Sequence, residues 1–340
     1  PPPRPDEIIF TSGATEANNM AILGVVGSAF KNGIARPHII VSAIEHPSVL
    51  EVAKVLESES VRVDYLPVDG RGLIDTKELR KIISLETVLV SVMYANNEIG
   101  TIEPITDIAK EIRHARKMNG GVYPYFHTDA AQAANYLDIN ILRLGVDLMT
   151  LSSGKTYGPR GIGALFVKRG VQMMPLMYGG EQEGGHRPGT ESTALAVGFV
   201  TALAETQKTS SKESKRVQKL RDALAIKILK KISGTSVNGD LEKSLPNILN
   251  ISFDGIESDA LVLYLDAAGI AVSGKSACKS SDSAPSHVIL ALGNVDDVTA
   301  GAIRFSLGRE TKNEDIVRVA NEVIRLVPLL REAQSQSDQV

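Results

Sequence analysis

Val146-Asp147-Leu148-Met149-Thr150-Leu151-Ser152 reads as a short buried strand, and the chain leaves it directly into Ser153-Gly154-Lys155-Thr156-Tyr157-Gly158-Pro159. Similar runs recur in both directions. Upstream lie Glu7 to Thr11, His38 to Ser42, Val61 to Leu66, Val88 to Ala95 and Tyr123 to Thr128; downstream lies Ile162 to Val167, and helical patterns alternate with them. Such alternation predicts an α/β fold with a mainly parallel sheet covered by helices on both faces. In open sheets of this kind ligands bind beyond the carboxyl ends of the strands, so the residues just after each strand carry the interest.

Past Val167 the pattern changes to a glycine-rich segment, Gly179 to Gly189, and then to a helical stretch from Thr190 to Lys231. Asn247 to Phe253, Ala260 to Ala267, Ile270 to Val272, Ile303 to Leu307 and Asp315 to Leu326 then predict a smaller α+β domain. The expected division is a large domain over residues 1–208 and a small one over 209–340. A chain of 340 residues with 43% hydrophobic content has enough apolar surface for such a pair. Lys+Arg 37 against Asp+Glu 40 gives a net charge of −3 with no run of like charges, which argues against nucleic-acid or anionic-membrane partners. No apolar stretch approaches the roughly 18 residues of a membrane span, and Pro1 to Pro5 lacks the features of a signal peptide, so a cytoplasmic or organelle-matrix location is expected. One cysteine, Cys278, excludes an internal disulfide and a cysteine-rich zinc site, fits a reducing compartment and leaves the thiol available for reaction.

Polar groups follow five of the strands. The first runs into Thr11-Ser12-Gly13-Ala14-Thr15-Glu16 and a helix start, whose backbone amides could cradle a phosphate; Ser12 or Thr15 as a plain N-cap is the simpler reading. The second leads to Glu45-His46-Pro47-Ser48, where a lone histidine is more often structural than catalytic, and the fourth to Asn96-Asn97-Glu98-Ile99-Gly100, which could be simple turn chemistry. The fifth ends His127-Thr128-Asp129-Ala130-Ala131-Gln132. A carboxylate there needs a cation, such as the protonated ring nitrogen of pyridoxal phosphate, or serves as a helix cap. Gly154-Lys155-Thr156 is no P-loop, because Met149 stands where that motif requires glycine. Lys155 instead suits a Schiff-base role in a partly desolvated site, or is a surface lysine in a turn. Cys278 lies in the polar run Val272 to Ser283, where Lys275 and Lys279 favour the nucleophilic thiolate.

Taken in order, these runs, together with Arg187, Gly189-Thr190-Glu191, Ser276-Ala277-Cys278 and Arg304-Phe305-Ser306-Leu307-Gly308-Arg309, closely resemble the NifS/IscS-type cysteine desulfurases of the class V aminotransferase group. The resemblance spans nearly the whole chain. It implies a fold-type I pyridoxal-phosphate transferase, similar to aspartate aminotransferase, acting as a homodimer with each site at the subunit interface. It further implies that Lys155 holds the cofactor covalently, Asp129 holds the ring nitrogen, Gln132 contacts the ring hydroxyl, and His46 stacks on the ring and assists proton transfer. Ala14, Thr15, Ser152, Ser153 and Thr190 of a partner subunit would surround the cofactor and its phosphate, while Asn97 and Arg304 would grip the substrate carboxylate.

On the same basis Cys278 would take sulfur from L-cysteine as a persulfide, leaving L-alanine, and pass it to an iron–sulfur scaffold or another sulfur-acceptor protein. No resident metal is expected, although Cys278 could transiently ligate an iron–sulfur cluster. Gly154 stands where many relatives have histidine, and Gly184 where most have arginine. Relatives also usually begin well before the position of Pro1, with a segment that helps build the smaller domain, which implies a fragment, a processed form or a segment supplied otherwise. Selenocysteine lyase shares the scaffold, cofactor and active cysteine, and a catalytically idle partner-binding protein is the non-enzyme alternative.

Overall fold

Every strand expected in the first half forms: β1 Ile8–Thr11, β2 His38–Ser42, β3 Arg62–Leu66, β4 Thr87–Ser91, β5 Tyr125–Asp129, β6 Leu148–Ser152 and β7 Gly163–Val167. They make one sheet in the order β1-β7-β6-β5-β4-β2-β3. Pairing is parallel from β3 through β6, and β7 runs antiparallel to both β6 and β1. The carboxyl ends of β1, β2, β4, β5 and β6 therefore share one edge. The central strands β2, β4 and β5 are buried at every position, as strands covered on both faces must be. Helices α1 (Ala14–Lys31) and α2 (Pro47–Ser58) pack on this sheet through Ala21, Val25, Val49 and Leu56.

This computed structural model describes residues 3–274, 286–293 and 301–337, which fall into two compact units. The first takes residues up to Pro67, Ile74–Ala95 and Glu103–Ser210. The second takes Val68–Leu73, Asn96–Ile102 and the chain from Ser211. A long helix, Thr193–Lys231, begins in the first and ends in the second.

The second unit holds a three-stranded antiparallel sheet in the order β10-β9-β8, formed by β8 Thr235–Val237, β9 Ile248–Phe253 and β10 Ala302–Ser306. Leu249, Ile251, Phe253, Ile303 and Phe305 face helices Ser258–Ala267 and Asn313–Ser337 through Leu261, Leu265, Ala320 and Val323.

Two expectations shift and one strand was not expected. Val88 to Ala95 is a shorter strand because beyond Ser91 the chain leaves the regular ladder, although Val92 N and Tyr94 N still donate to His127 O and Asp129 O at 3.1 and 2.8 Å. Ile270 to Val272 forms no strand; only Ser273 pairs, as an isolated bridge with Arg304. β8 escapes the sequence reading because its three residues carry no pattern long enough to count.

At the opposite, amino-terminal edge of the large sheet, Asp147 is buried between β5 and β6. It accepts from Arg116 Nη2 and Nη1, from Phe126 N at 2.9 Å, and from Lys168 Nζ at 3.4 Å. That pairing offsets the cost of desolvating a carboxylate.

Candidate active site

Strand register alone assembles one side of the site. Ser152 at the end of β6 pairs with Gly163, which in turn pairs with Thr11 at the end of β1. Gly163 has a reason to be glycine: a Cβ there would lie 2.7 Å from the Gly13 carbonyl carbon and 2.8 Å from the Leu151 oxygen. The missing side chain lets the turn before α1 close down on the sheet edge. The N-cap of α1 is Gly13, no side chain caps it, and a Cβ at Gly13 would meet nothing within 4 Å. The plain-cap reading of Ser12 and Thr15 therefore fails, and the start of this 18-residue helix suits a phosphate.

Ser12 N instead donates to Glu16 Oε2 at 2.6 Å, while Glu16 Oε1 accepts from Arg187 Nε at 3.0 Å. Burial raises the Glu16 pKa, but the Ser12 hydrogen bonds and the Arg187 charge outweigh it and hold the carboxyl below its ordinary value. This pairing ties the glycine-rich segment, which carries Arg187 and the exposed Thr190, to the same helix start.

Asp129 closes β5 and is 6% exposed. Its Oδ1 accepts from Ala131 N at 2.9 Å, so it does cap the turn that follows; its Oδ2 accepts from Asn18 Nδ2 at 2.7 Å. The same Nδ2 donates to Ser48 Oγ at 2.8 Å, and Ser48 Oγ lies 2.8 Å from His46 Nδ1. His46 is the N-cap of α2 and accepts from Ser48 N at 3.1 Å. Beneath Asp129, the buried His127 bridges Ser91 Oγ and Thr150 Oγ1 at 2.8 and 3.0 Å, and burial pushes its pKa down to about 3. It stays uncharged and spans β4, β5 and β6 as a strut.

Lys155 ends a single 3-10 turn after β6 and is exposed within this chain, so its own unit does not supply the desolvation expected for its amine. Its carbonyl is held by Asn135 Nδ2. Gln132 is half-buried just beyond Asp129. Ser153 is fully buried with its Oγ facing Gly158, where a Cβ would come within 2.3 Å. Gly154 leaves space, with only the Arg160 side chain 3.7 Å from an added Cβ. The first unit thus brings Ala14, Thr15, His46, Asp129, Gln132, Ser152 and Lys155 to one sheet edge. An amide-rich helix start, a buried carboxylate and a lysine fit a phosphorylated pyridine aldehyde.

In the second unit Arg304, on β10, donates from Nη1 to the Asn97 carbonyl at 2.8 Å, so the backbone of Asn97 makes that contact. Arg304 Nε is buried with no partner among the described residues. The turn is built by Asn96 Oδ1, which accepts from Glu98 N and Ile99 N at 2.8 and 3.0 Å. Cys278, Lys275 and Lys279 lie outside the described residues.

Sequence reasoning missed Asn18 and gave Glu45 and Ser48 no role. One signal was present: Asn18 falls on the α1 stripe that includes Ala14, Ile22, Val25 and Ala29, and a polar residue on a buried stripe requires a partner. The partner, 111 residues away, was not readable.

A profile of the family described as Aminotransferase class-V matches residues 3–319. The chain is 42% identical over 326 residues to "Cysteine desulfurase IscS" of Dictyoglomus turgidum, covering 96% of this chain and 80% of that protein. It is 42% identical over 330 residues to "Cysteine desulfurase, mitosomal" of Encephalitozoon cuniculi, covering 96% and 74%. Among solved structures it superposes on a "NIFS-like protein" with a TM-score of 0.87 and 34% identity, covering 96% of this chain and 84% of the other.

Proposed function

The chain belongs to the class-V aminotransferase family, and from that membership and the sheet-edge geometry we infer a cysteine desulfurase. It is a pyridoxal-phosphate enzyme of fold-type I whose substrate is L-cysteine. The relatives are named for that activity, which favours it over selenocysteine lyase and over an idle binding protein. The observation that carries the reading is the buried Asp129 carboxylate at the mouth of β5, fixed by Asn18 and Ala131 beside the uncapped start of α1.

Bound there, pyridoxal phosphate supplies an electron-withdrawing ring that stabilises the charge left when the substrate Cα loses its proton, which weakens the Cβ–S bond. The chain's own residues do the rest. Asp129 would hold the ring nitrogen in its protonated form, because burying a carboxylate is costly and a cation opposite it offsets that cost. Amides at Ala14 and Thr15, with Ser152 and Thr190 of a second copy, hold the phosphate. Gln132 orients the ring hydroxyl, and His46 covers the ring face. Arg304 and Asn97 hold the substrate carboxylate, for which a guanidinium fork is suited.

Lys155 would hold the cofactor through its Nζ, and the same amine, once free, would take the substrate Cα proton. Cys278 Sγ, as thiolate, attacks the substrate sulfur: an S–S bond forms, the C–S bond breaks, and Cβ gains a proton. Alanine leaves, and the Cys278 persulfide passes to an acceptor protein for iron–sulfur or other sulfur-cofactor assembly.

A homodimer is supported by exposed apolar side chains at Met177 and Tyr178, just before the glycine-rich segment, and at Val197 and Val200, three residues apart on one helix. A cytoplasmic or organelle-matrix location fits the single cysteine, and no helix among the described residues is long and apolar enough to cross a membrane.

The test is the absorption spectrum of the purified protein with cofactor, before and after L-cysteine, alongside alanine and sulfide determination in the presence of a thiol. A bound chromophore that responds to cysteine, with alanine and sulfide in equal amounts, is expected. A chromophore indifferent to cysteine, or pyruvate in place of alanine, rules the activity out.

A further inference from the structure

The hydrogen bonds from Asp129 to His46 have a direction. Asn18 is fully buried, and its Nδ2 spends one hydrogen on Asp129 Oδ2 and the other on Ser48 Oγ. Turning the amide over would set an oxygen against a carboxylate, so the orientation follows from the network. The amide is retained although its Oδ1 is left buried with no partner among the described residues, a costly arrangement that marks its two N–H groups as the ones in use. Since Ser48 Oγ accepts from Asn18, its single hydrogen points onward to His46 Nδ1. The backbone N–H of Ser48 points at the same nitrogen. Two donors converge on Nδ1, which leaves Nε2 to carry the ring proton.

We infer that Asn18 and Ser48 are positioning residues of a hydrogen-bond chain with fixed donor directions, diverging at the Asn18 amide to the Asp129 carboxylate on one side and through Ser48 to the imidazole on the other, which locks His46 with its proton on Nε2. The chain draws on α1, α2 and the end of β5, so the ring and the carboxylate are set by one rigid frame. It rests on the desulfurase reading only for its consequence. A ring protonated at Nε2 offers a hydrogen bond there and does not accept a proton there, so the substrate Cα proton goes to Lys155 Nζ. His46 contributes a fixed N–H rather than a base.

Selective nitrogen-15 labelling of the six histidines tests this in the full chain with and without cofactor, His46 being identified by its loss in His46→Gln. Expected are an Nε2 signal of the protonated type and an Nδ1 signal of the unprotonated, hydrogen-bonded type in both forms. Ser48→Ala shifts the Nδ1 signal toward the value of a nitrogen with fewer donors. It also lowers kcat roughly ten- to hundredfold while KM stays within about twofold, as expected for misplacement of a group near the chemistry. Ser48→Thr restores both.

Asn18→Leu moves the Nδ1 signal in the same direction, and the double variant moves it no further than one alone, because both changes cut the same chain. A proton on Nδ1 in the unaltered protein overturns the proposal, as do additive shifts or a Ser48→Ala variant with unchanged signal and kcat. Should a variant fail to fold, the unaltered protein's spectrum still decides. A protein with the expected spectrum but no desulfurase activity would sink the functional reading and leave the hydrogen-bond chain standing.

Discussion

Glu45→Gln separates protonation from packing at a residue the chemistry does not touch. Glu45 is fully buried, and its Oε1 accepts from Ser42 Oγ at 2.6 Å and Met93 N at 2.7 Å, bonds that a glutamine oxygen can keep. Burial pushes its pKa from 4.5 up to about 8, with the Asp129 and Glu103 charges adding to the rise and the two hydrogen bonds opposing it. Between those values the native protein keeps a proton that the unfolded chain releases. Stability from this group is therefore undiminished below pH 4.5 and falls continuously as pH climbs toward about 8.

Each pH unit of that window is worth about 1.4 kcal/mol, so the native state loses on the order of 5 kcal/mol across it. Glutamine has no proton to hold. The stability difference, variant minus unaltered protein, should be near zero at the acid end and rise steadily in the variant's favour toward the alkaline end. Urea unfolding of both proteins at a series of pH values spanning the window measures it, and other titrating groups cancel in the difference. A difference that stays flat, or that grows in favour of glutamate, would refute the reasoning.

Lys155→Ala removes covalent attachment of the cofactor; borohydride reduction followed by peptide mass mapping should find no cofactor-modified lysine, and modification of another lysine would contradict the assignment. Cys278→Ala retains bound cofactor and its spectral response to cysteine but abolishes sulfide release, checked by parallel absorbance and sulfide assays. Gly163→Ala forces a Cβ to within 2.7 Å of the Gly13 backbone. Such overpacking should destabilise by about 1–3 kcal/mol and weaken cofactor retention, read by thermal unfolding and by cofactor content after dialysis. Asp147→Ala leaves Arg116 and Phe126 N without their buried acceptor, and unfolding free energy should fall by about 3–5 kcal/mol in urea melts.

Much of the fold and part of the site were legible in the chain. The central strands of the large sheet declare themselves because burial on both faces favours largely apolar runs, and that demand is local. The polar residues that follow, Asp129, His46, Ser152 and Lys155, were placed at the sheet edge by the same logic, since alternating strands and helices bring carboxyl ends together. The cap at α1 went the other way: Ser12 and Thr15 are good capping residues by type, yet Gly13 takes the position and Ser12 N turns to Glu16. Arg187, far along the chain, donates to the other oxygen of the same carboxylate, a contact no local pattern announces.

What the amino-acid order settles by itself is therefore which segments are strands and helices, and which chemistry-bearing residues stand at their ends. Only tertiary packing decides that Asn18 serves both Asp129 and Ser48, that the proton of His46 sits on Nε2, and that Glu45 keeps its proton near neutrality. Periodicity and caps are properties of neighbours a few residues apart. A hydrogen-bond direction or a buried acid's pKa is set by atoms within about 3 Å, wherever in the chain they originate.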